Sequence, residues 1–242
     1  MLNSSKVDEK FTAVSNEKKY NIFSKLLYFL ALLWYNNKRE RKVIWVTKAE
    51  RLDKFIDEYN GYLIVGKALE LEVSKPYLKE YIQKRSLEKV AHGIYKISEA
   101  WTDDLYVLSL RNEKTIYSHD TALMLHGLTE RDPKRICVSV PQAYNATHLR
   151  KHGVEVHQTK EEYMNLGVTT ATTVYGNVVV TYDMERSICD LIKVKGDRDP
   201  QMFIYALKEY AKRKDKNLNN LMKYAEALNV SQTLRLYMEV LL

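Results

Sequence analysis

The sequence predicts an α+β protein: an N-terminal winged helix-turn-helix followed by a mixed α+β domain with a helical C-terminal tail. Three observations carry that expectation. Between residues 48 and 97, apolar residues at helical spacing give way to short alternating strands around a glycine turn. Between 106 and 182, strand-like apolar runs are mixed with a buried helix. From 183 onward the patterning is helical. The chain therefore reads as an extension with a hydrophobic helix (1–47), a winged helix (48–97), a linker (98–105) and a C-terminal α+β domain (106–242).

Residues 1–19 are polar and read as flexible. Residues 22–35 are densely apolar, interrupted by Lys25 and followed by Lys38, Arg39, Arg41 and Lys42. The run falls short of the roughly 20 apolar residues of a spanning helix, and Asn36-Asn37-Lys38 is no signal-peptidase site. A helix packed on the body of the protein, or on a second copy, is the favoured reading. Membrane contact through 22–35 is less favoured and stays open, as does a start site that adds dispensable residues.

In 49–59, Leu52, Phe55 and Ile56 recur at helical spacing, and Asn60-Gly61 ends the helix. A short helix follows over 65–71, then a tight turn at Glu72-Val73. Ser74 is placed to cap a third helix running to Lys84, with Pro76 in its first turn. Leu78, Tyr81 and Ile82 form its inward stripe; Pro76, Lys79, Glu80 and Gln83 lie opposite, with Lys75 on the edge. Residues 87–97 make two strands around His92-Gly93, where Gly93 permits a positive φ. In a winged helix the third helix enters the major groove and the hairpin touches the backbone.

Cations dominate this module. Lys75, Lys79, Lys84, Arg85, Lys89 and Lys96 outnumber Glu80 and Glu88 and suit phosphate contacts. The predicted DNA-binding set is Ser74, Lys75, Tyr77, Lys79, Gln83, Lys84, Arg85, Lys89 and His92. Tyr77 and Gln83 reach either base edges or backbone; Glu80 is the discordant residue. Over the whole chain, 38 Lys and Arg against 31 Asp and Glu give a net charge of +7, which permits a polyanionic partner without requiring one.

In the C-terminal domain Ser118 is expected to cap a buried helix reaching Leu125, with Gly127 at its end. Residues 136–140 and 154–157 read as strands, and 168–174 with 177–182 as a hairpin around Tyr175-Gly176. Asp183 caps a helix with Met184, Ile188, Leu191 and Ile192 on one face. Further helices are expected over 200–213, 218–228 and 231–241. Cys137 and Cys189 sit among apolar neighbours and read as buried thiols in a reduced, cytoplasmic protein. No Cys and His spacing resembles a zinc site, and no cofactor is expected.

Enzymatic readings are weak. His119-Asp120 lacks the further His and Asp partners of a complete hydrolase ligand set, and its place in a first helical turn accounts for it. Asp183, Glu185 and Asp190 could serve a nuclease, but Asp183 is expected as a cap and Arg186 with Asp190 as an i,i+4 pair on the helix surface. No glycine-rich phosphate loop and no nucleophile with an identifiable base occurs. The chain is not expected to be an enzyme.

Four segments in order carry a family resemblance: 90–95 (VAHGIY), 118–129 (SHDTALMLHGLT), 138–141 (VSVP) and 182–192 (YDMERSICDLI). Together they resemble the AbiEi family, antitoxins of type IV abortive-infection toxin–antitoxin systems that act in phage defence. The resemblance covers residue 46 to the C-terminus; the apolar N-terminal extension departs from it. It implies an autorepressor that binds inverted repeats in double-stranded promoter DNA, with self-association on DNA. It implies a C-terminal antitoxin activity, placed here on Ser118, His119, His126, Glu185, Arg186 and Asp190. The functional partner would be a nucleotidyltransferase-like toxin, without a stable complex. The alternative is a transcriptional regulator whose C-terminal domain senses a ligand or partner.

Overall fold

The computed structural model of the chain describes residues 47–241 apart from 195, 197 and 198. The polar segment 1–19 and the apolar stretch 22–35 lie outside the described residues. Among the described residues, no helix is long and apolar enough to cross a membrane.

The chain divides into two units, 1–53 and 54–242. Helix α1 (Lys48–Glu58) starts in the first. Its N-terminus is closed reciprocally: the Thr47 amide donates to Glu50 Oε2 (2.8 Å), and the Glu50 amide to Thr47 Oγ1 (3.1 Å). This capping box satisfies two donors that a helix start leaves unpaired.

The second unit opens with β1 (Tyr62–Ile64), a strand the sequence pattern does not predict, then α2 (Val65–Leu69) and α3 (Lys75–Lys84). Strands β2 (Glu88–Ala91) and β3 (Ile94–Lys96) pair antiparallel, and β1 adds to β3, giving the order β1-β3-β2. Gly93 turns the hairpin at φ +72°, where a side chain would be strained. Ser74 occupies the N-cap position of α3, but its hydroxyl makes no capping bond.

Next come α4 (Asp104–Arg111), β4 (Ile116–Tyr117), α5 (His119–Leu125), β5 (Cys137–Pro141), α6 (Thr147–Lys151) and β6 (Glu155–Thr159). They are followed by α7 (Glu161–Met164), β7 (Val168–Thr172) and β8 (Val178–Tyr182). Helices α8 (Met184–Lys193), α9 (Pro200–Lys212), α10 (Leu218–Ala227) and α11 (Ser231–Leu241) form the tail. Among the described residues the mixed α+β class holds, with two sheets. The larger sheet has the order β6-β5-β4-β8-β7: β5 and β6, and β4 and β8, run parallel; β4 and β5, and β7 and β8, antiparallel.

Strand alternation sorts the large sheet's side chains onto two faces. Tyr117, Val138, Val140 and Val179 join Tyr62, Ile94, Tyr106 and Val107 in one apolar cluster, so the small sheet, α4 and one face of the large sheet share a core. Each such side chain contributes roughly 1.5–3 kcal/mol when fully buried. The opposite register positions are polar: Cys137 and Ser139 face Glu155 and His157 across the β5–β6 pair. A second cluster joins Leu123 of α5, Ile188 and Leu191 of α8, Phe203, Leu207 and Tyr210 of α9, and Leu221 of α10.

Buried Asp103 ties the small sheet to the large one. Its carboxylate caps α4 through the Tyr106 amide (3.1 Å) and accepts from Thr173 Oγ1 (2.5 Å) and Asn177 Nδ2 (2.7 Å). The Asp103 amide donates to Tyr62 Oη (3.0 Å), and Asn60 Nδ2 to Asn177 Oδ1 (3.0 Å). The stretch with a linker-like sequence therefore carries a buried hydrogen-bond hub.

Candidate functional site

The exposed side of the small-sheet segment is built by α3 and the β2–β3 hairpin. The α3 helix buries Leu78 and Tyr81. That orientation leaves Ser74, Lys75, Lys79, Gln83, Lys84 and Arg85 exposed, with Tyr77 half-buried. Lys89 on β2 and His92 at the turn are also exposed. Glu80, the discordant acid, pairs with Lys84 Nζ (2.8 Å) on the helix surface. The pair leaves both side chains in solvent, where such bridges contribute about 0–1 kcal/mol. Lys84 can therefore exchange Glu80 for a phosphate at little cost. Arg85 lies over the Tyr81 ring, 5.7 Å from its centroid.

Lys96 departs from its expected place among the surface cations. It is buried, bonded to Glu88 Oε2 (2.8 Å) and to the Ala100 carbonyl (2.8 Å). Glu88 is held below the usual carboxylate range by Lys96. The ammonium closes the end of the hairpin and is not available to a ligand.

The C-terminal candidates occupy the protein's polar interior. Ser118, His119, Glu185, Arg186 and Asp190 are all buried. Arg186 and Asp190 do pair, Nε to Oδ1 at 3.0 Å, but in the core with side chains 2% and 5% exposed, not on the helix surface. The reason is local. Residues 163–166 wrap over α8, and Arg186 Nη1 donates to the carbonyls of Tyr163 (2.8 Å) and Leu166 (3.1 Å). The guanidinium also lies 4.3 Å from the Tyr182 ring centroid. Burial raises the Asp190 pKa despite the opposing effect of Arg186.

Asp183 caps α8 through the Arg186 amide (2.7 Å), as the sequence predicts. Its carboxyl is pushed upward by burial. Tyr224 Oη donates to it at 3.2 Å, and the Tyr224 pKa is pushed up to about 12 by burial and by Asp183. Glu185 Oε1 accepts from Tyr210 Oη (3.1 Å) and the Asn217 amide (2.7 Å), fastening α9 and the start of α10 to α8. His126 Nε2 donates to the Tyr182 carbonyl at 2.6 Å.

Ser118 stands at the N-cap of α5 without making the capping bond; its hydroxyl contacts His119 Nδ1 (3.0 Å). His119 takes φ +51°, a left-handed conformation rare in a residue with a side chain. Its ring stacks on His157 with centroids 3.5 Å apart and planes 14° apart. His157 Nε2 donates to Glu155 Oε1 (3.0 Å). One ligand-type atom each from Cys137, Glu155 and His157 falls within 4.8 Å of the others. The Thr121 hydroxyl accepts from the Cys137 amide (2.8 Å), fixing that end of β5 against α5. Glu155 and Asp120 line an open cavity of about 350 Å³, with Arg131, Lys134, Arg135 and Asp199 among its other walls.

Sequence reasoning missed Cys137, Glu155 and His157 as a group because β-sheet register, not local spacing, brings them together. The one signal was polar residues at alternate positions, 137 with 139 and 155 with 157. Both cysteines are buried and neither forms a disulfide. The Cys189 thiol is pushed far up by burial.

No family model and no curated protein matches the chain. Among solved structures, the crystal structure of the RV2827C protein from Mycobacterium tuberculosis is similar. Its TM-score is 0.51 at 12% identity, over 77% of this chain and 72% of that one. A likeness at that identity concerns the fold alone.

Proposed function

We propose that the chain is a DNA-binding antitoxin and autorepressor of the AbiEi type. In this reading residues 48–97 are a winged helix-turn-helix that binds inverted repeats in the chain's own promoter. The residues beyond 106 counteract a nucleotidyltransferase-like toxin without a stable complex. One observation supports the DNA half most: α1, α2, α3 and an antiparallel hairpin follow in order, and the face of α3 away from the core carries Lys75, Lys79, Gln83 and Lys84. In this reading long cations on a helix that enters the major groove supply phosphate contacts, while Gln83 and Tyr77 reach either base edges or the backbone. The antitoxin half rests on the sequence resemblance.

A gel shift with the DNA upstream of its gene tests the first half. Salt-sensitive binding is expected, weakened by Lys75→Ala and Lys79→Ala; absence of specific binding at low salt refutes it. Co-expression with the downstream gene tests the second: growth arrest should be relieved, and relief that survives deletion of 106–242 refutes placing that activity there. A second reading, a regulator whose C-terminal part senses a small ligand, draws on the cavity beside Asp120 and Glu155. A downstream gene unlike a nucleotidyltransferase favours it.

A further inference from the structure

We propose that Cys137, Glu155 and His157 form a binding site for a zinc-class divalent transition ion, with a fourth position open to the cavity beside Asp120. The inference does not depend on the DNA-binding reading, because its residues are separate from the proposed DNA-contacting set; it shares Glu155 and its cavity with the ligand-sensing reading.

The geometry comes from strand register. Cys137 and Glu155 are direct partners across the parallel β5–β6 pair, and His157, two residues beyond Glu155, returns to the same face. Their ligand atoms lie within 4.8 Å of one another. Ligands around a tetrahedral zinc, at bond lengths of about 2.0–2.3 Å, stand roughly 3.5 Å apart. Side-chain rotations of about 1 Å therefore close the set on an ion, with no movement of the strands. His157 Nε2 and Glu155 Oε1 are already 3.0 Å apart.

The donor set selects the ion. A thiolate, an imidazole and a carboxylate suit zinc and its neighbours, whereas magnesium and calcium take oxygen ligands alone. Three protein ligands with access to a cavity make an open site, in which water completes the coordination. Of the three ligands, Glu155 is the one that lines that cavity, so an ion enters past Glu155.

The surroundings hold the ligands as outer-shell groups do. Thr121 anchors the backbone of Cys137, and the His119 ring stacks flat on the ligand imidazole. His119 holds that position with a left-handed backbone, φ +51°, at the head of α5. Conformations of this kind are costly for a residue with a side chain and persist where the surroundings enforce them. The stack gives this strain a purpose. It also gives the His119–Thr121 segment a role unrelated to helix capping, which Ser118 does not perform.

Binding must displace the Cys137 thiol proton, and the hydrogen now shared between His157 Nε2 and Glu155 must leave that nitrogen for the ion to take its place. Zinc affinity therefore rises with pH, and each ion bound releases at least the thiol proton.

The test uses the full chain, stripped of metal and titrated with zinc by calorimetry and with cobalt by absorption spectroscopy. One ion per chain is expected, with a sulfur-to-cobalt charge-transfer band. Cys137→Ser should abolish the band, and Cys189→Ser should leave it unchanged. Glu155→Gln and His157→Gln should weaken zinc binding by more than about tenfold, the least that an outer-shell change costs. His119→Ala should weaken it by about tenfold. Glu155→Gln keeps the side chain's shape at a position 30% exposed and should preserve the fold; circular dichroism of each metal-free variant checks this. Zinc should also raise the melting temperature of the wild type more than that of Glu155→Gln at the same zinc concentration. The proposal is overturned if the wild type binds no zinc, if Glu155→Gln binds it equally well, or if the cobalt band depends on Cys189.

Discussion

Replacing Arg186 by Met tests whether the polar interior is held by charge compensation. The guanidinium bonds Asp190 Oδ1 at 3.0 Å and two carbonyls, all in a site only 2% exposed. Asp190 Oδ2 has no hydrogen-bond partner among the described residues, so Arg186 carries most of that carboxylate's compensation. Removing one member of a buried pair costs about 3–5 kcal/mol, because the other charge is left in a low-dielectric interior. Arg186→Met/Asp190→Leu removes that charge as well. What remains is chiefly the two carbonyls without a donor, about 1 kcal/mol each, so the double variant should lose only about 2 kcal/mol. The pH dependence follows from the raised Asp190 pKa. A carboxyl whose folded value lies above its unfolded value of 3.8 holds its proton more tightly when folded. Its ionisation penalises folding above the folded value, and the penalty fades as pH falls toward 3.8. Without Arg186 this window extends upward, so the deficit of Arg186→Met should shrink between neutral pH and pH of about 4. Urea unfolding at several pH values measures all three quantities. A single variant within 1 kcal/mol of wild type, or a double variant no more stable than the single one, refutes the reasoning.

Other substitutions probe other parts of the structure. Lys75→Ala/Lys79→Ala should reduce the slope of log K against log salt by about 1.8 in a DNA titration if each lysine meets one phosphate, since each contributes about 0.9; an unchanged slope removes both from the interface. Asp103→Ala strips the cap of α4 and leaves Thr173 and Asn177 without their shared acceptor. A loss of about 3 kcal/mol in thermal or urea unfolding is expected, and a loss under 1 kcal/mol would show that the hub is dispensable. Gly167→Ala should be far worse than Gly93→Ala. Both have positive φ, but a Cβ at 167 would sit 2.7 Å from Arg186 Cβ, whereas one at 93 meets nothing within 4 Å. Backbone strain alone costs Gly93→Ala about 1–2 kcal/mol, and equal melting temperatures for the two variants would contradict the close approach.

The elements with long periodic patterns were legible in the sequence, because amphipathic spacing encodes a face directly. The helices α1, α3, α8, α9, α10 and α11 and the β7–β8 hairpin match their predicted spans within a few residues. What escaped was short or non-local. Strand β4 is two residues long, too short to show a period, yet it lies between β5 and β8 and so sets the order of the large sheet. Strand β1 is buried at all three positions and shows no alternation. Asp103 sits in a stretch with linker-like composition; its partners Thr173 and Asn177 are about seventy residues away.

The polar candidates show a more particular limit. The i,i+4 spacing of Arg186 and Asp190 correctly implied a pair, but spacing places two residues on one face without saying what covers that face. Here the cover is the 163–166 turn, whose carbonyls need donors as much as the guanidinium needs acceptors. Gly167 lets that turn approach α8 closely enough for the exchange. The same segment that satisfies Arg186 thus buries it with Asp190, while Tyr210 and the Asn217 amide engage buried Glu185 from α9 and the start of α10. Substitutions there will report on the integrity of the fold. Among the described residues of this half, the carboxylate side chains of Asp120 on α5 and Glu155 on β6 belong to residues that line the cavity, and Glu155 links it to the polar face of the β5–β6 pair.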